Sequence, residues 1–214
     1  MLEGYLDTYQ NRFRRTDPLD LKIVGVDDGA FSSNKVVGER TLLVAVLLRN
    51  SRIQKIRLGT IEVDGTDAKT TLKSIVRKLR CDVIMLSGIS FAGFNIIDIS
   101  ELSHELKKPI IAIIGQKPNN RAVRKALKDH FVDWRFRWDG VRSAGKLYVC
   151  RSLKDEPKLY FEVQGATPSF ARRIIKRTAV ISRLPEPIRV ARILAKGLSR
   201  LRVHEVHWVD LKRP

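Results

Sequence analysis

The stretch Leu21-Lys22-Ile23-Val24-Gly25-Val26-Asp27-Asp28-Gly29-Ala30-Phe31 decides how this chain is read. Its apolar run has the length of a strand and ends in two carboxylates and a glycine. A strand that stops at Asp holds a charged group rigidly at the edge of a sheet, where a divalent cation can be bound. Asp-Gly also suits a plain turn, because both residues tolerate turn geometry. The spacing alone leaves both readings open.

Residues 41–48 (Thr-Leu-Leu-Val-Ala-Val-Leu-Leu) follow a turn at 32–34 and are too apolar for a strand with one solvated face. Residues 52–63 alternate imperfectly between Ile, Leu or Val and Arg, Lys or Glu, as an outer strand does. Short turns between these three runs predict an antiparallel meander. The period then changes. Residues 67–80 read as an amphipathic helix with Leu72, Ile75, Val76 and Leu79 on one face and Asp64 or Thr66 as its cap. A strand at 82–86, a helix at 95–107 and a strand at 110–114 complete the grammar of parallel strands joined by crossover helices.

Farther along, residues 119–130 form a helix capped by Asn119, and residues 146–150 and 158–163 read as strands. Helices are predicted at 168–179 and 185–201. Within 131–144, Trp134, Phe136 and Trp138 alternate with Arg135 and Arg137. The segment is not assigned to an element: buried, the rings would make an ordinary strand face, and exposed, they would stack on bases; at least two of the three are expected to be buried. The expected fold is α/β: a mixed sheet, part three-strand antiparallel meander and part parallel, with helices on both faces. One domain is expected over 1–214, with an extension at 1–20 and a tail at 203–214.

Charge narrows the function. Lys and Arg number 41 against 23 Asp and Glu, a formal net charge of +18, which points to a polyanionic partner, DNA or RNA. Cys81 and Cys150 lack the spacing of a zinc site or a disulfide framework and predict core thiols in a reducing cytoplasm. No apolar run is long enough for a membrane span. The phosphate-binding glycine motifs are missing, so no nucleotide cofactor is expected, and neither an HExxH nor a GxSxG motif occurs.

Two constellations carry chemistry. Asp27 and Asp28 end the first strand, Asp64 and Asp67 precede the first helix, and Asp98 lies early in the second. Where two or three of these converge they suit Mg²⁺ or Mn²⁺, which activates water against a phosphodiester; Asp64 and Asp67 also suit turn and cap positions. The second constellation is cationic. Arg172, Arg173, Lys176 and Arg177 lie opposite an apolar face of one helix, and Arg189, Arg192, Lys196 and Arg200 form a stripe on the next. Such stripes suit either a phosphate-backbone track or a solvated face.

The runs Gly25-Val-Asp-Asp-Gly-Ala-Phe31, Leu86-Ser-Gly-Ile-Ser-Phe-Ala-Gly-Phe-Asn-Ile-Ile-Asp98 and Leu184-Pro-Glu-Pro-Ile-Arg-Val-Ala-Arg192 resemble an archaeal family of uncharacterised proteins related to endonuclease V. The resemblance implies a ribonuclease H-like fold and a metal-dependent nuclease ancestry. It matches Asp27 to the first-strand metal ligand and Asp67 to the carboxylate before the first crossover helix, making these two the implied ligands of Mg²⁺ or Mn²⁺. Where endonuclease V has an Asp-Gly pair this chain reads Ser87-Gly88, and near a later polar position it reads Gly165-Ala166. A neutral hydroxyl binds Mg²⁺ more weakly than a carboxylate, so the implied metal site is incomplete. Three functions follow: a nucleic-acid-binding protein that no longer cuts; a Mg²⁺-dependent endonuclease with Asp28, Asp64 or Asp98 filling the missing place; or a non-catalytic partner-binding protein.

Overall fold

The computed structural model describes residues 16–32 and 38–199. A seven-stranded mixed sheet has the order β3-β2-β1-β4-β7-β9-β8. The meander is formed by β1 (Ile23–Asp28), β2 (Arg40–Arg49) and β3 (Arg52–Glu62), paired antiparallel. On its other edge β1 pairs in parallel with β4 (Val83–Leu86), and β4 in parallel with β7 (Ile110–Ile114). The sheet ends with β9 (Leu159–Gln164) and β8 (Tyr148–Cys150), both in antiparallel pairings. A separate small hairpin is made by β5 (Ser90–Phe91) and β6 (Asn95–Ile96).

Among the described residues, six α-helices surround the sheet. On one face α1 (Ala68–Arg77) and α2 (Ile99–Leu106) cover a core that includes Val24, Val26, Leu43, Ala45, Ile84 and Leu86. Beyond this layer lie α3 (Asn120–His130) and α4 (Trp134–Ser143). The opposite face is covered by α5 (Pro168–Thr178) and α6 (Glu186–Ser199). Alternation along β1 makes the division: Val24 and Val26 point into the first core, whereas Ile23 points into the second. Both cysteines are buried and free.

Several boundaries differ from the sequence reading. The first helix begins at Ala68, and Asp67 at its N-cap turns its carboxylate away from the helix; neither Asp64 nor Thr66 caps it. The second begins only at Ile99, because Asp98 caps it by accepting from the Ser100 and Glu101 amides. Asn119 caps α3 as its sequence implies. Residues 134–143, which the sequence leaves unassigned, form a helix, so their alternation is not that of a strand face. Burial there falls on Arg137, while Trp134 and Trp138 are half-buried and Phe136 is 68% exposed. Arg137 takes the interior place because Asp133 and the Gly65 and Phe94 carbonyls satisfy its guanidinium. The turn at 33–34, the tail at 203–214, most of the N-terminal extension and Arg200 lie outside the described residues.

Candidate functional site

Helix α6 lies along β1, and Gly25 allows it to sit there. A Cβ on Gly25 would fall 1.9 Å from the Pro187 carbonyl oxygen, so only a residue without a side chain permits this approach. From that contact helix and strand advance together. Five helical residues rise about 7.5 Å and two strand residues about 6.6 Å, so Arg192 comes level with Asp27. One helical turn later Lys196 reaches Gly29, and Ser199 reaches Ala30.

At the C-terminal end of β1 these residues make a compact cluster. Arg192 Nε donates to Asp27 Oδ2 at 2.8 Å, and its Nη2 donates to Ser87 Oγ at 2.7 Å. Asp27 Oδ1 accepts from the Asp28 amide at 2.9 Å. Lys196 Nζ donates to the Gly29 carbonyl at 2.7 Å and lies 3.6 Å from Asp28 Oδ1. Asp27 is only 3% exposed, whereas the side chains of Arg192 and Lys196 are nearly half exposed. Burial pushes the Asp27 carboxyl above its ordinary value; Arg192 pulls it back without cancelling the effect, and the Asp28 charge adds to the rise.

The remaining carboxylates serve the hairpin at 90–96. Asp28 Oδ2 accepts from the Ala92 amide at 2.6 Å, and Asp64 Oδ1 from the Phe94 amide at 2.8 Å. Asp67 Oδ1 accepts from the Asn95 side chain at 2.8 Å and from the Glu62 amide, while its Oδ2 pairs with Arg40 at 2.9 Å. Burial works to raise the Asp67 carboxyl, but these partners outweigh it and hold the group below its ordinary value. Asp98 is spent on its cap. The five carboxylates therefore do not converge: Asp27 faces α6, and Asp28, Asp64 and Asp67 grip one hairpin on the other side of the sheet.

The cationic stripes separate in the same way. On α5, Arg177 pairs with Asp17, Arg172 donates to the Val149 carbonyl and stands over Tyr148, and Arg173 lies over Phe170, leaving Lys176 exposed. On α6, Arg189 forks onto Glu186 at 2.8 and 2.7 Å. Among the described residues of the stripes, Arg192 and Lys196 turn to the end of β1. Sequence reading placed these two on a surface track and missed both their contact with Asp27 and Gly29 and the part played by the Ser87 hydroxyl. The signal for it was the Leu184–Arg192 run, whose Pro187 is matched to Gly25.

A family model described as Endonuclease dU matches residues 20–199. The chain belongs to this family. Among curated relatives, the UPF0215 protein of Thermococcus gammatolerans is 37% identical over 190 residues, covering 86% of this chain and 95% of the relative. A solved Archaeoglobus fulgidus protein of unknown function superposes with a TM-score of 0.73 at 25% identity, over 83% of this chain and 98% of that one. Ciona intestinalis endonuclease V, solved in complex with a 24mer DNA containing an inosine followed by a ribo-adenosine, superposes with a TM-score of 0.52 at 14% identity, over 96% and 97%. At that identity the likeness shows the fold alone, which is ribonuclease H-like.

The donors around Asp27 do not fit the divalent ion that this fold family implies. Asp27 Oδ2 and Ser87 Oγ are both held by one guanidinium, and Lys196 stands beside Asp28. Two cations thus already balance two carboxylates, and an added ion would be repelled at contact distance by Arg192. Among the described residues, no group of three or more His, Cys, Asp or Glu side chains is placed to share an ion. No helix among them is long and apolar enough to cross a membrane.

Proposed function

We propose that the protein recognises a nucleic-acid strand carrying a deaminated base, deoxyuridine first, and holds the adjoining phosphodiester against Arg192 and Lys196 at the end of β1. The observation that carries this reading is the geometry of those two cations. They are nearly half exposed, fixed by a buried carboxylate and a backbone carbonyl, and set about one helical turn apart, so a phosphate meets pre-aimed donors. A guanidinium fork matches two phosphate oxygens, and an ammonium supplies a point charge beside it. Membership of a family described as Endonuclease dU supports the choice of target, the fold shared with DNA-bound endonuclease V supports the class of partner, and the net charge of +18 supplies attraction at long range.

Cleavage is a second reading, favoured by the state of Asp27. A carboxylate whose proton affinity is raised by burial is suited to accept a proton from water. A phosphate that drew Arg192 toward itself would free Asp27 for that step. Water would then add to phosphorus and one P–O ester bond would break, with Lys196 at hand for the departing oxygen.

End-labelled strands containing one deoxyuridine, one inosine or neither separate the readings when incubated with the protein in EDTA, Mg²⁺ or Mn²⁺. Preferential retention of the deoxyuridine strand supports recognition; a cut in EDTA that Asp27→Asn abolishes supports hydrolysis by these residues. Equal and salt-insensitive retention of all three strands would overturn the proposal.

A further inference from the structure

We infer that the α3–α4 hairpin is a second nucleic-acid surface, a stacking platform for unpaired bases; the inference rests on the strand-binding reading above and deepens it. The hairpin is unusual in what it leaves outside. Leu127 is the only buried residue of α3, and Val132 at the tip and Phe136 on α4 are exposed hydrophobics. Trp134 lies beneath two cations, with Lys128 Nζ 4.8 Å and the Arg135 guanidinium 5.0 Å from its ring centroid, and Arg124 stands 5.8 Å from Trp138. Each acid of the pair of helices already has a cation: Asp129 with Lys125, Asp133 with Arg137, and Asp139 with Arg142. Among the described residues, Arg121, Arg124, Lys128 and Arg135 form no salt bridge, and Lys128 acts on Asp129 only through space.

An exposed ring on a hairpin that also carries several cations outside any salt bridge is complementary to a strand that offers a flat base and a phosphate at each step. Duplex DNA keeps its bases stacked on one another and has no free face to offer Phe136. The ligand of this surface is therefore a single strand. Location agrees. Gly140 of α4 packs on Ile96, and Arg137 donates to the Phe94 and Gly65 carbonyls, so the platform is fastened to the 90–96 hairpin. Asp28 holds the same hairpin through the Ala92 amide. The platform and the end of β1 are thus tied to one hairpin, from opposite faces of the sheet.

The test is the affinity of a labelled single strand and of a blunt duplex for the full chain and for Phe136→Ala and Phe136→Trp, with Arg192→Gln/Lys196→Gln in parallel. Phe136 is exposed, so both replacements leave the fold intact. Phe136→Ala is expected to weaken the single strand about tenfold, on the scale of one lost base–aromatic stack, Phe136→Trp to restore it, and the duplex to be unaffected. Single-strand binding by Phe136→Ala equal to that of the unaltered protein would overturn the platform while leaving the phosphate site standing. An equal loss for duplex and single strand would overturn the choice of unpaired bases. Failure of the unaltered protein to bind any strand would overturn both the platform and the reading it rests on.

Discussion

Arg192 joins Asp27 to Ser87: one guanidinium donates to the buried carboxylate at 2.8 Å and to the hydroxyl at 2.7 Å, across 165 and 105 positions of sequence. Removing it leaves a buried carboxylate facing a hydroxyl with no cation between them. Arg192→Met is therefore expected to lower unfolding stability by about 2 kcal/mol at neutral pH, read by urea denaturation. The loss carries a pH signature. Asp27 binds its proton more tightly folded than unfolded, and without Arg192 the difference widens. Stability then falls as pH rises from the unfolded carboxylate value, so the variant should approach the parent below pH 4 and diverge above it.

Gly25 sets the position of α6 on β1. Any Cβ there collides with the Pro187 backbone, which cannot rotate aside as a side chain would. Gly25→Ala is expected to cost about 3 kcal/mol through overpacking and to reduce strand binding along with stability, because Arg192 is carried away from Asp27. Calorimetric unfolding and strand affinity on the same variant check both effects.

Asp67 accepts from Asn95, from the Glu62 amide and from Arg40. Its carboxyl is held below the ordinary value by those partners despite its partial burial. The stabilisation it supplies is present above the unfolded carboxylate value and disappears as pH falls through the folded one. Asp67→Ala should cost about 1–3 kcal/mol at pH 7, and the gap should close on acidification.

Glu162 gives a pH response of the opposite sign. It lies buried in β9, its Oε2 has no hydrogen-bond partner among the described residues, and burial raises its carboxyl from 4.5 to about 7. The folded protein therefore holds a proton that the unfolded chain releases, and stability declines between those two values. A shift of this size corresponds to about 3 kcal/mol. Glu162→Gln should flatten the decline and be more stable than the parent at pH 7.5, as thermal melts across pH 4–8 would show.

Much of the fold was legible because the strands that matter are buried on both faces. The apolar runs ending at Asp28 and at Ile114 can be read without their partners, and Asn119 announces α3 by its own capping chemistry. The 134–143 segment was not legible because alternation of aromatic and Arg residues imitates a strand; its helical face, Trp134, Arg137 and Trp138, shows only once Asp133, Gly65 and Phe94 are present to pair a buried arginine. The carboxylates misled for a related reason. Asp28, Asp64 and Asp67 cluster in sequence around two turns, but each meets a different atom of a hairpin some 30 to 60 residues away. Nothing local distinguishes an aspartate that will grip a backbone amide from one that will face an arginine.

The central claim is that a phosphodiester is held by Arg192 and Lys196 at the end of β1. Its most direct test is the salt dependence of binding of a deoxyuridine-containing strand by the full chain and by Arg192→Gln/Lys196→Gln. The account predicts weaker binding by the double variant and a log–log salt slope shallower by about 1.4 to 1.8, as expected when two phosphate contacts are lost. An unchanged slope and affinity would contradict it, because the strand would then be bound without touching these cations.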